Sequence, residues 1–396
     1  MHKKTFIFLI VLIFTFGQIA TDLYLPSLSH ISESFYTNTS MVQLSITIYI
    51  ISSVISQPIY GVASDGFGRR PSLIFGISLA VVGTIICLLA KSIFVFLIGR
   101  FVQGLGAGVG STVCRAIMRD RFTGHDLIVT NSHLAVSNIA LMITAPVLGG
   151  YIAYYINWHA CFVLLLLLAL FNLMSVLYIL PETSQKHGRH NLKPGIIITN
   201  FSSLLQSKNF LLYSFCSFMT FGGVMAWTTA GPVILHKIYK VSSIHIGWVY
   251  FFVGMMYIFG NICNRNLVYK FGLNNMIKTG FSIQLLTGLI LATVFLLNYT
   301  SIFALIIPVG FYMFGSSLIA PNASVGAIND FTDISGTASA LLSMMQNLGA
   351  VIFSLIMILS PTQNILPVAI CFSSIGFIAL LVNYIVKYEH ISVIRL

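Results

Sequence analysis

Long apolar runs, separated by short polar stretches, are the feature that most constrains how this chain can fold. A transmembrane α-helix needs about 20 apolar residues to cross the hydrocarbon core of a bilayer. Twelve runs reach that length, and together they leave almost no residues for a soluble domain. They lie near residues 5–26, 39–61, 72–90, 94–113, 128–152, 160–180, 210–232, 244–264, 276–297, 301–321, 337–359 and 365–386. The pattern predicts an all-α integral membrane protein with twelve transmembrane helices.

Composition supports this fold class and indicates which kinds of partner the chain has. Hydrophobic residues make up 57% of the chain and charged residues 7%, and the mean hydropathy is +0.94, which excludes an ordinary soluble domain. The net charge is +11, but the basic residues are scattered over several loops, so we expect contact with membrane lipid and no nucleic-acid partner. The six cysteines form no C-x-x-C pair, and we expect neither a disulfide framework nor a metal site.

The positions of Lys and Arg predict the orientation of the chain, because basic residues in short loops stay on the cytoplasmic side. Most of the twenty Lys and Arg residues fall on segments that are cytoplasmic if the N-terminus is inside. Both termini are then cytoplasmic. Lys3 and Lys4 before an apolar run also resemble a signal peptide, but no good small-x-small cleavage site follows, so we interpret the first run as an uncleaved helix.

A polar interval at 181–209 separates the sixth apolar run from the seventh. We therefore predict two six-helix bundles, at residues 1–180 and 210–396, joined by a cytoplasmic loop at 181–209. Phe67-Gly68 is weakly echoed by Phe271-Gly272 in the corresponding loop of the second half, as expected of a parallel internal repeat.

The loop between the second and third runs packs an acid, glycines and two arginines into Gly61-Val-Ala-Ser-Asp65-Gly-Phe-Gly68-Arg69-Arg70-Pro71. Asp65 would end one helix, where it can pair with a basic side chain and with a helix dipole. Gly61 and Gly68 permit close helix approach and positive φ. We call Gly61–Arg70 the latch loop. We expect Gly61, Asp65, Gly68, Arg69 and Arg70 to hold the outward-facing state and to release as the two halves rock, rather than to touch substrate.

The latch loop matches the G-x-x-x-D-x-x-G-R-R/K pattern of the major facilitator superfamily, which this chain resembles. Three further motifs carry the resemblance: Thr21-Asp22-Leu-Tyr-Leu-Pro26 in helix 1, Arg100-Phe-Val-Gln103-Gly104-Leu-Gly106 in helix 4, and Ala145-Pro146-Val-Leu-Gly149-Gly150 in helix 5. Ala145 stands in place of the first Gly of that helix 5 antiporter motif, and His159 follows Trp158 where relatives often have Arg. More narrowly, Arg115-Ala-Ile-Met-Arg119-Asp120, Pro321-Asn322-Ala323 and Gly336-Thr-Ala-Ser-Ala340 resemble the bicyclomycin/chloramphenicol resistance (Bcr/CflA) drug:proton antiporters.

Asp22 is the one acid that this topology places within a span, and an ionised carboxylate there costs at least about 2.5 kcal/mol. If helix 1 ends near Leu28, Asp22 lies roughly 9 Å below the outer end, and Arg100 on helix 4 lies at a similar depth. We therefore expect Asp22 to carry the proton and substrate coupling, with Arg100 and Gln103 as supporting residues. The alternatives are that Asp22 only caps the helix end, that Arg100 snorkels outward, and that Gln103 makes only an interhelical hydrogen bond.

Other residues have weaker claims. Pro146, Gly149 and Gly150 are expected to seal a gate against a partner helix, or only to pack there. His133 is a lesser proton-relay candidate, for which we favour a hydrogen bond to another helix. An adaptable apolar surface suits varied ligands, and the candidates for lining such a cavity are Tyr24, Met142, Met225 and Trp227. For each of them the favoured alternative is packing between helices or contact with lipid.

The resemblance implies a proton-coupled secondary transporter that exports lipophilic or cationic drugs from a bacterial cell through its inner (cytoplasmic) membrane. The alternative is a narrow exporter of a metabolite such as a sugar, amino acid or siderophore. We find no P-loop, no H-x-x-x-D pair and no acidic metal cluster, so we predict neither an enzyme nor a cofactor, and an ion gradient as the energy source. Relatives suggest a monomer.

Overall fold

The computed structural model describes residues 3–183, 201–299, 301–331, 334–360 and 364–386. Within these residues twelve helical segments are long and apolar enough to cross a membrane, as predicted. The first span contains two helices, α1 and α2, and each later span contains one. The helices are α1 (Lys3–Asp22), α2 (Leu28–Ser34), α3 (Thr39–Phe67), α4 (Arg69–Leu89), α5 (Ile93–Arg121), α6 (Gly124–Tyr155), α7 (Trp158–Tyr178), α8 (Lys208–Lys237), α9 (Ser243–Phe271), α10 (Leu273–Leu296), α11 (Ile302–Asn329), α12 (Ser335–Leu359) and α13 (Leu366–Ile385). The orientation of the termini stays a prediction.

The first span is broken where the sequence predicted a continuous helix to about Leu28. Helix α1 ends at Asp22, a 3₁₀ turn covers Leu25–Ser27, and α2 then runs to Ser34. The physical reason is Pro26, which has no N–H to donate to the carbonyl of Asp22 four residues earlier and whose ring crowds that carbonyl. The break places the buried carboxylate at a helix end instead of about 1.7 turns inside the helix.

Helix α5 packs closely between α3 and α4 because its glycines face their backbones. A Cβ on Gly104 would lie 2.4 Å from the carbonyl oxygen of Tyr49 in α3, and one on Gly106 would lie 2.2 Å from the amide nitrogen of Ala80 in α4. Since lipid is as apolar as the side chains, such close van der Waals contact is a main source of helix association in a bilayer. This packing fixes the height of Arg100 and Gln103 on α5.

The chain forms two compact units: one of Met1–Asn191 with Leu235–Phe251, the other of Leu192–Ile234 with Phe252–Leu396. The segment Leu235–Phe251, which the sequence assigns to the second bundle, thus packs with the N-terminal helices. Most of the predicted loop, residues 184–200, lies outside the described residues, so the division into 1–180, 181–209 and 210–396 stays a prediction.

Within the second unit, hydrogen bonds between polar side chains join neighbouring helices. Gln284 of α10 donates to Ser316 Oγ of α11 (3.0 Å), and Asn322 of α11 donates to Asn264 Oδ1 of α9 (2.7 Å). The rings of Tyr312 and Phe372 are stacked 3.6 Å apart. The two hydrogen bonds are the interhelical contacts expected of buried polar side chains in a membrane protein.

Candidate functional site

Asp22 and Arg100 are the only charged side chains that the described residues bury, at 4% and 0% exposure. Asp22 stands at the end of α1, where Gln18 Nε2, one turn earlier, donates to its Oδ2 at 2.5 Å. A carboxylate with so few donors is poorly solvated when ionised and is therefore suited to exchanging a proton or meeting a cation.

Arg100 is held by hydrogen bonds on one side of its guanidinium and by aromatic rings. Its Nη1 donates to the carbonyl oxygen of Ala20 (3.1 Å) and to Oε1 of Gln103. The guanidinium carbon lies 4.6 Å from the ring centre of Tyr24 and 4.2 Å from that of Tyr49, and both contacts favour the cation. The Nε and Nη2 groups of Arg100 are buried and have no hydrogen-bond partner.

Gln103 acts as a bridge from Arg100 to α4. While its Oε1 accepts from Arg100, its Nε2 donates to Thr84 Oγ1 at 2.8 Å. Gln103 is fully buried, so both ends of its amide are used. The sequence left support of Arg100 and an interhelical hydrogen bond as equal alternatives for Gln103, and the structure contains both contacts.

The conditional expectation of an Asp22–Arg100 pair is not met in this structure. No Asp22 oxygen lies within 4.0 Å of an Arg100 nitrogen. Arg100 instead takes the backbone of Ala20, two residues before the carboxylate, while Asp22 turns to Gln18. Arg100 of α5 and Asp22 thus make separate contacts with the same end of α1, and the Nε and Nη2 groups of Arg100 are left without a partner.

The helix 5 motif lies on α6 and packs directly against the broken first span. A Cβ on Gly149 would lie 1.6 Å from the carbonyl oxygen of Leu23, the residue after Asp22. A Cβ on Gly150 would lie 2.5 Å from the carbonyl oxygen of Ser243, and one on Gly247 of α9 would lie 2.6 Å from that of Pro146. The motif therefore makes room both for the break in α1 and for the start of α9 within the same unit.

The latch loop is organised around its two arginines. Arg69 binds Asp65 through Nη1 (2.5 Å) and Asp120 of α5 through Nε (2.9 Å). Arg70 donates from Nε to the carbonyl of Val176 (3.1 Å) and from Nη2 to that of Leu177 (2.5 Å), near the end of α7. The loop therefore connects α3, α4, α5 and α7 inside the first unit.

Sequence reasoning missed Asp120 and Glu182 as partners of the latch loop. Glu182 accepts from the backbone amides of Arg69 (Oε1) and Arg70 (Oε2), each at 3.0 Å, and so caps the N-terminus of α4. Gly68 between the two helices has φ +109°, and a Cβ there would meet Glu182 Oε2 at 2.7 Å. The missing signal was charge balance, since two arginines had only Asp65 assigned to them.

Three other predicted residues have ordinary surroundings. A Cβ on Gly61 would meet only Thr112 Cγ2, at 3.7 Å, so close approach does not explain this glycine. His133 is exposed and its Nδ1 lies 2.7 Å from the carbonyl of Val129 in its own helix, rather than bonding to another helix as expected. Tyr24 is fully buried between Arg100 and Ser45, whose Oγ lies 2.9 Å from its hydroxyl.

The remaining cavity candidates are divided between the two units. Met142 belongs to the first unit, whereas Met225 and Trp227 belong to the second. The two methionines are half-buried and Trp227 is fully buried. Their role in binding stays a prediction.

Among the described residues, twelve helical spans, a single buried carboxylate at a helix break and a charged latch loop fit a membrane transport protein better than a soluble or single-anchor protein. The model of the Major Facilitator Superfamily matches residues 7–354. The chain belongs to this family of transporters, as the motifs predicted.

Individual proteins agree with this assignment. The chain is 29% identical to the bicyclomycin resistance protein homolog of Haemophilus influenzae over 90% of each chain. It is 25% identical to the multidrug resistance protein D of Escherichia coli, over 86% of this chain and 85% of that protein. The crystal structure of a D-xylose-proton symporter has the same fold, with a TM-score of 0.78 at 17% identity over 96% of this chain and 97% of the symporter. The expected resemblance to resistance transporters is thus confirmed, and the chain is a multi-pass protein of the bacterial inner membrane.

Proposed function

We propose that this protein exports small lipophilic or cationic compounds from the cytoplasm in exchange for protons. The observation that carries the proposal is Asp22, a buried carboxylate at the break in the first span with Gln18 as its hydrogen-bond donor. Relatives named for bicyclomycin and multidrug resistance support drugs as the substrate class. A narrow metabolite exporter is less favoured, because Gln284 and Asn322, which a sugar site would use, donate to neighbouring helices.

The mechanism follows from the cost of two buried charges. A buried ionised carboxylate is stable only with a proton, a paired cation or water. We propose that Asp22 alternates between a proton taken from outside and a substrate or cation taken from inside, so that the two compete for one site. The unpartnered Nε and Nη2 groups of Arg100 offer the deprotonated carboxylate a partner in another state.

The latch loop would act at the level of whole helices. We propose that the pairs of Arg69 with Asp65 and Asp120 stiffen one end of the first unit, so that its helices move together during alternating access. The contact of α6 with α9 at Gly150 and Gly247 is the corresponding seal. The protein would work as a monomer, without a cofactor and without catalysing a covalent reaction.

The test uses everted membrane vesicles with an acidic interior and an internal pH-sensitive dye. Bicyclomycin, chloramphenicol or ethidium is added outside the vesicles, and dissipation of the pH gradient is followed. We expect dissipation with the native chain and with the control Asp126→Asn, an exposed acid paired with Lys3. Asp22→Asn should abolish dissipation.

Two results would contradict the proposal in different ways. Dissipation by Asp22→Asn would retain antiport but move the proton site away from Asp22. No response of the native chain to any compound would contradict drug antiport and favour the metabolite exporter.

A further inference from the structure

We propose that His30 and Ser243 form a proton-sensitive clamp at the end of the first unit opposite the latch loop. His30 lies on α2, the short helix after the break, and Ser243 begins α9. His30 Nε2 lies 3.0 Å from Ser243 Oγ, and Ser243 Oγ donates to the carbonyl oxygen of Pro26 at 3.0 Å. Ser243 is 1% exposed, whereas the His30 side chain is 41% exposed, so the ring is held by a buried group and can still reach water.

The hydrogen-bond chemistry fixes which nitrogen of His30 carries the proton. A carbonyl only accepts, so the single hydroxyl proton of Ser243 is used on Pro26. The Ser243 oxygen must therefore accept, and His30 must donate from Nε2. In the neutral ring Nδ1 is then the free acceptor, and it lies 3.8 Å from Oε2 of Glu33.

Protonation of His30 adds a contact without breaking one. A proton on Nδ1 turns that nitrogen into a donor facing Glu33 of the same helix, and the positive charge strengthens the hydrogen bond from Nε2 to Ser243 of α9. Histidine changes charge between about pH 5 and 8, so acid on this side should stabilise the clamped arrangement. By the positive-inside prediction this is the external side, from which the driving protons come.

The other titratable groups around His30 set the limits of this effect. The ring of His236 on α8 lies 5.9 Å away in an edge-on arrangement, and its charging would oppose that of His30. His236 Nδ1 is 3.3 Å from the carbonyl of Val241, and His245 Nδ1 is 2.8 Å from Ser242 Oγ.

His159 lines the same cavity of about 530 Å³ as His30 and Glu33. Among the described residues, neither Lys237 nor Lys240 lies within 4.0 Å of a carboxylate.

The position of Ser243 makes the clamp relevant to transport, and this step rests on the proposed alternating access. Helices α8 and α9 leave the first unit at 234 and 252 and continue in the second. The backbone contacts of Gly150 and Gly247 lie beside the clamp. A movement that carries the start of α9 away from α2 therefore separates His30 from Ser243, and the His30 proton biases that movement.

The clamp is tested by its geometry alone, without substrate or transport. Nitroxide labels are attached to cysteines that replace Tyr151 and Trp248. Both residues are exposed and lie beside the clamp, and Trp248 Nε1 is 3.4 Å from the Tyr151 hydroxyl. The six native cysteines are first replaced by Ala or Ser. The fraction of strongly coupled spin pairs in proteoliposomes is then measured between about pH 5.5 and pH 8.

We expect the coupled fraction to rise at least about twofold at the acid end. His30→Gln keeps an N–H donor for Ser243 but has no proton to gain, so its coupled fraction should not vary with pH. Ser243→Ala should lower the coupled fraction at every pH, whereas the control Ser242→Ala should keep the native response. In an Asp22→Asn background the response should persist, because the proton concerned is on His30.

A pH response that survives His30→Gln, or no response in the native background, would overturn the clamp. Neither result depends on whether drugs are exported. Loss of drug antiport with an intact pH response would overturn the proposed function and leave the clamp standing.

Discussion

At the scale of single residues, Asp22 and Arg100 are the most costly to bury, because each is a charge taken out of water without an ion-pair partner. Arg100 is compensated by the carbonyl of Ala20, the amide of Gln103 and the faces of Tyr24 and Tyr49. These contacts depend on a planar, forked cation and not on charge alone. Geometry at this position should therefore matter as much as charge.

Arg100→Lys tests this point. The ammonium keeps the charge but cannot stack between two rings while also donating to Ala20 and Gln103. We expect normal membrane insertion and a transport rate about 10- to 100-fold lower, as for a loss of roughly 1.4 to 2.7 kcal/mol. Transport of ethidium in vesicles measures it, with Arg121→Lys, an exposed residue, as the control. Native rates in Arg100→Lys would contradict a role for the stacked guanidinium.

Gly149 offers a second test at the residue scale. Gly149→Ala places a methyl group 1.6 Å from the Leu23 carbonyl oxygen, so the break beside Asp22 must shift, at a cost of about 1 to 3 kcal/mol. We expect a lower thermal midpoint and little transport. Gly66→Ala is the matched control, because nothing lies within 4 Å of its Cβ position. Equal behaviour of the two variants would show that α6 does not constrain the break.

At the scale of elements, the sequence predicted the helices better than their interruptions. Apolar runs mark spans because hydrocarbon admits few alternatives to a hydrogen-bonded helix. The break after Asp22 was missed because hydropathy stays high through Leu28, and Pro26 by itself does not say whether a span kinks or stops. The direction of the Asp22 side chain, toward Gln18 and not Arg100, depends on local packing that spacing does not encode.

The cap on α4 is the element-scale prediction. Glu182 accepts from the amides of Arg69 and Arg70, and Glu182→Gln removes the charge that favours this helix N-terminus. We expect a loss of about 0.5 to 2 kcal/mol in stability and a faster proteolytic cleavage of the loop. Glu33→Gln, at the other end of the unit, should leave both unchanged. Identical cleavage rates for Glu182→Gln and the native chain would show that Glu182 does not stabilise the latch loop.

At the scale of the whole molecule, the positions of twelve spans could be predicted because each depends only on its own hydropathy. The packing of Leu235–Phe251 with the N-terminal helices could not, since it depends on close contacts such as Gly150 with Ser243, between residues far apart in the chain. Glycine in a span signals close approach but not the partner helix. Asp120 and Glu182, the partners of the latch loop, were missed because they too lie far from Arg69 and Arg70 in the chain.

The energy source is the prediction at this scale. A carboxylate that exchanges a proton needs a proton gradient and no nucleotide, so a protonophore should stop export in whole cells within the time of gradient collapse. Depletion of ATP in cells whose proton gradient is kept by respiration should leave export unchanged. Export that follows ATP and ignores the protonophore would contradict proton coupling.

The most direct test of the central claim is to count protons released when substrate binds to the purified protein. Ethidium binding is followed by calorimetry in buffers of different ionisation enthalpy, at several pH values. If substrate and proton compete for Asp22, binding releases up to one proton, and affinity rises with pH by at most about tenfold per unit. Asp22→Asn should bind with no proton release and no pH dependence. Proton release that is the same in Asp22→Asn would contradict the account.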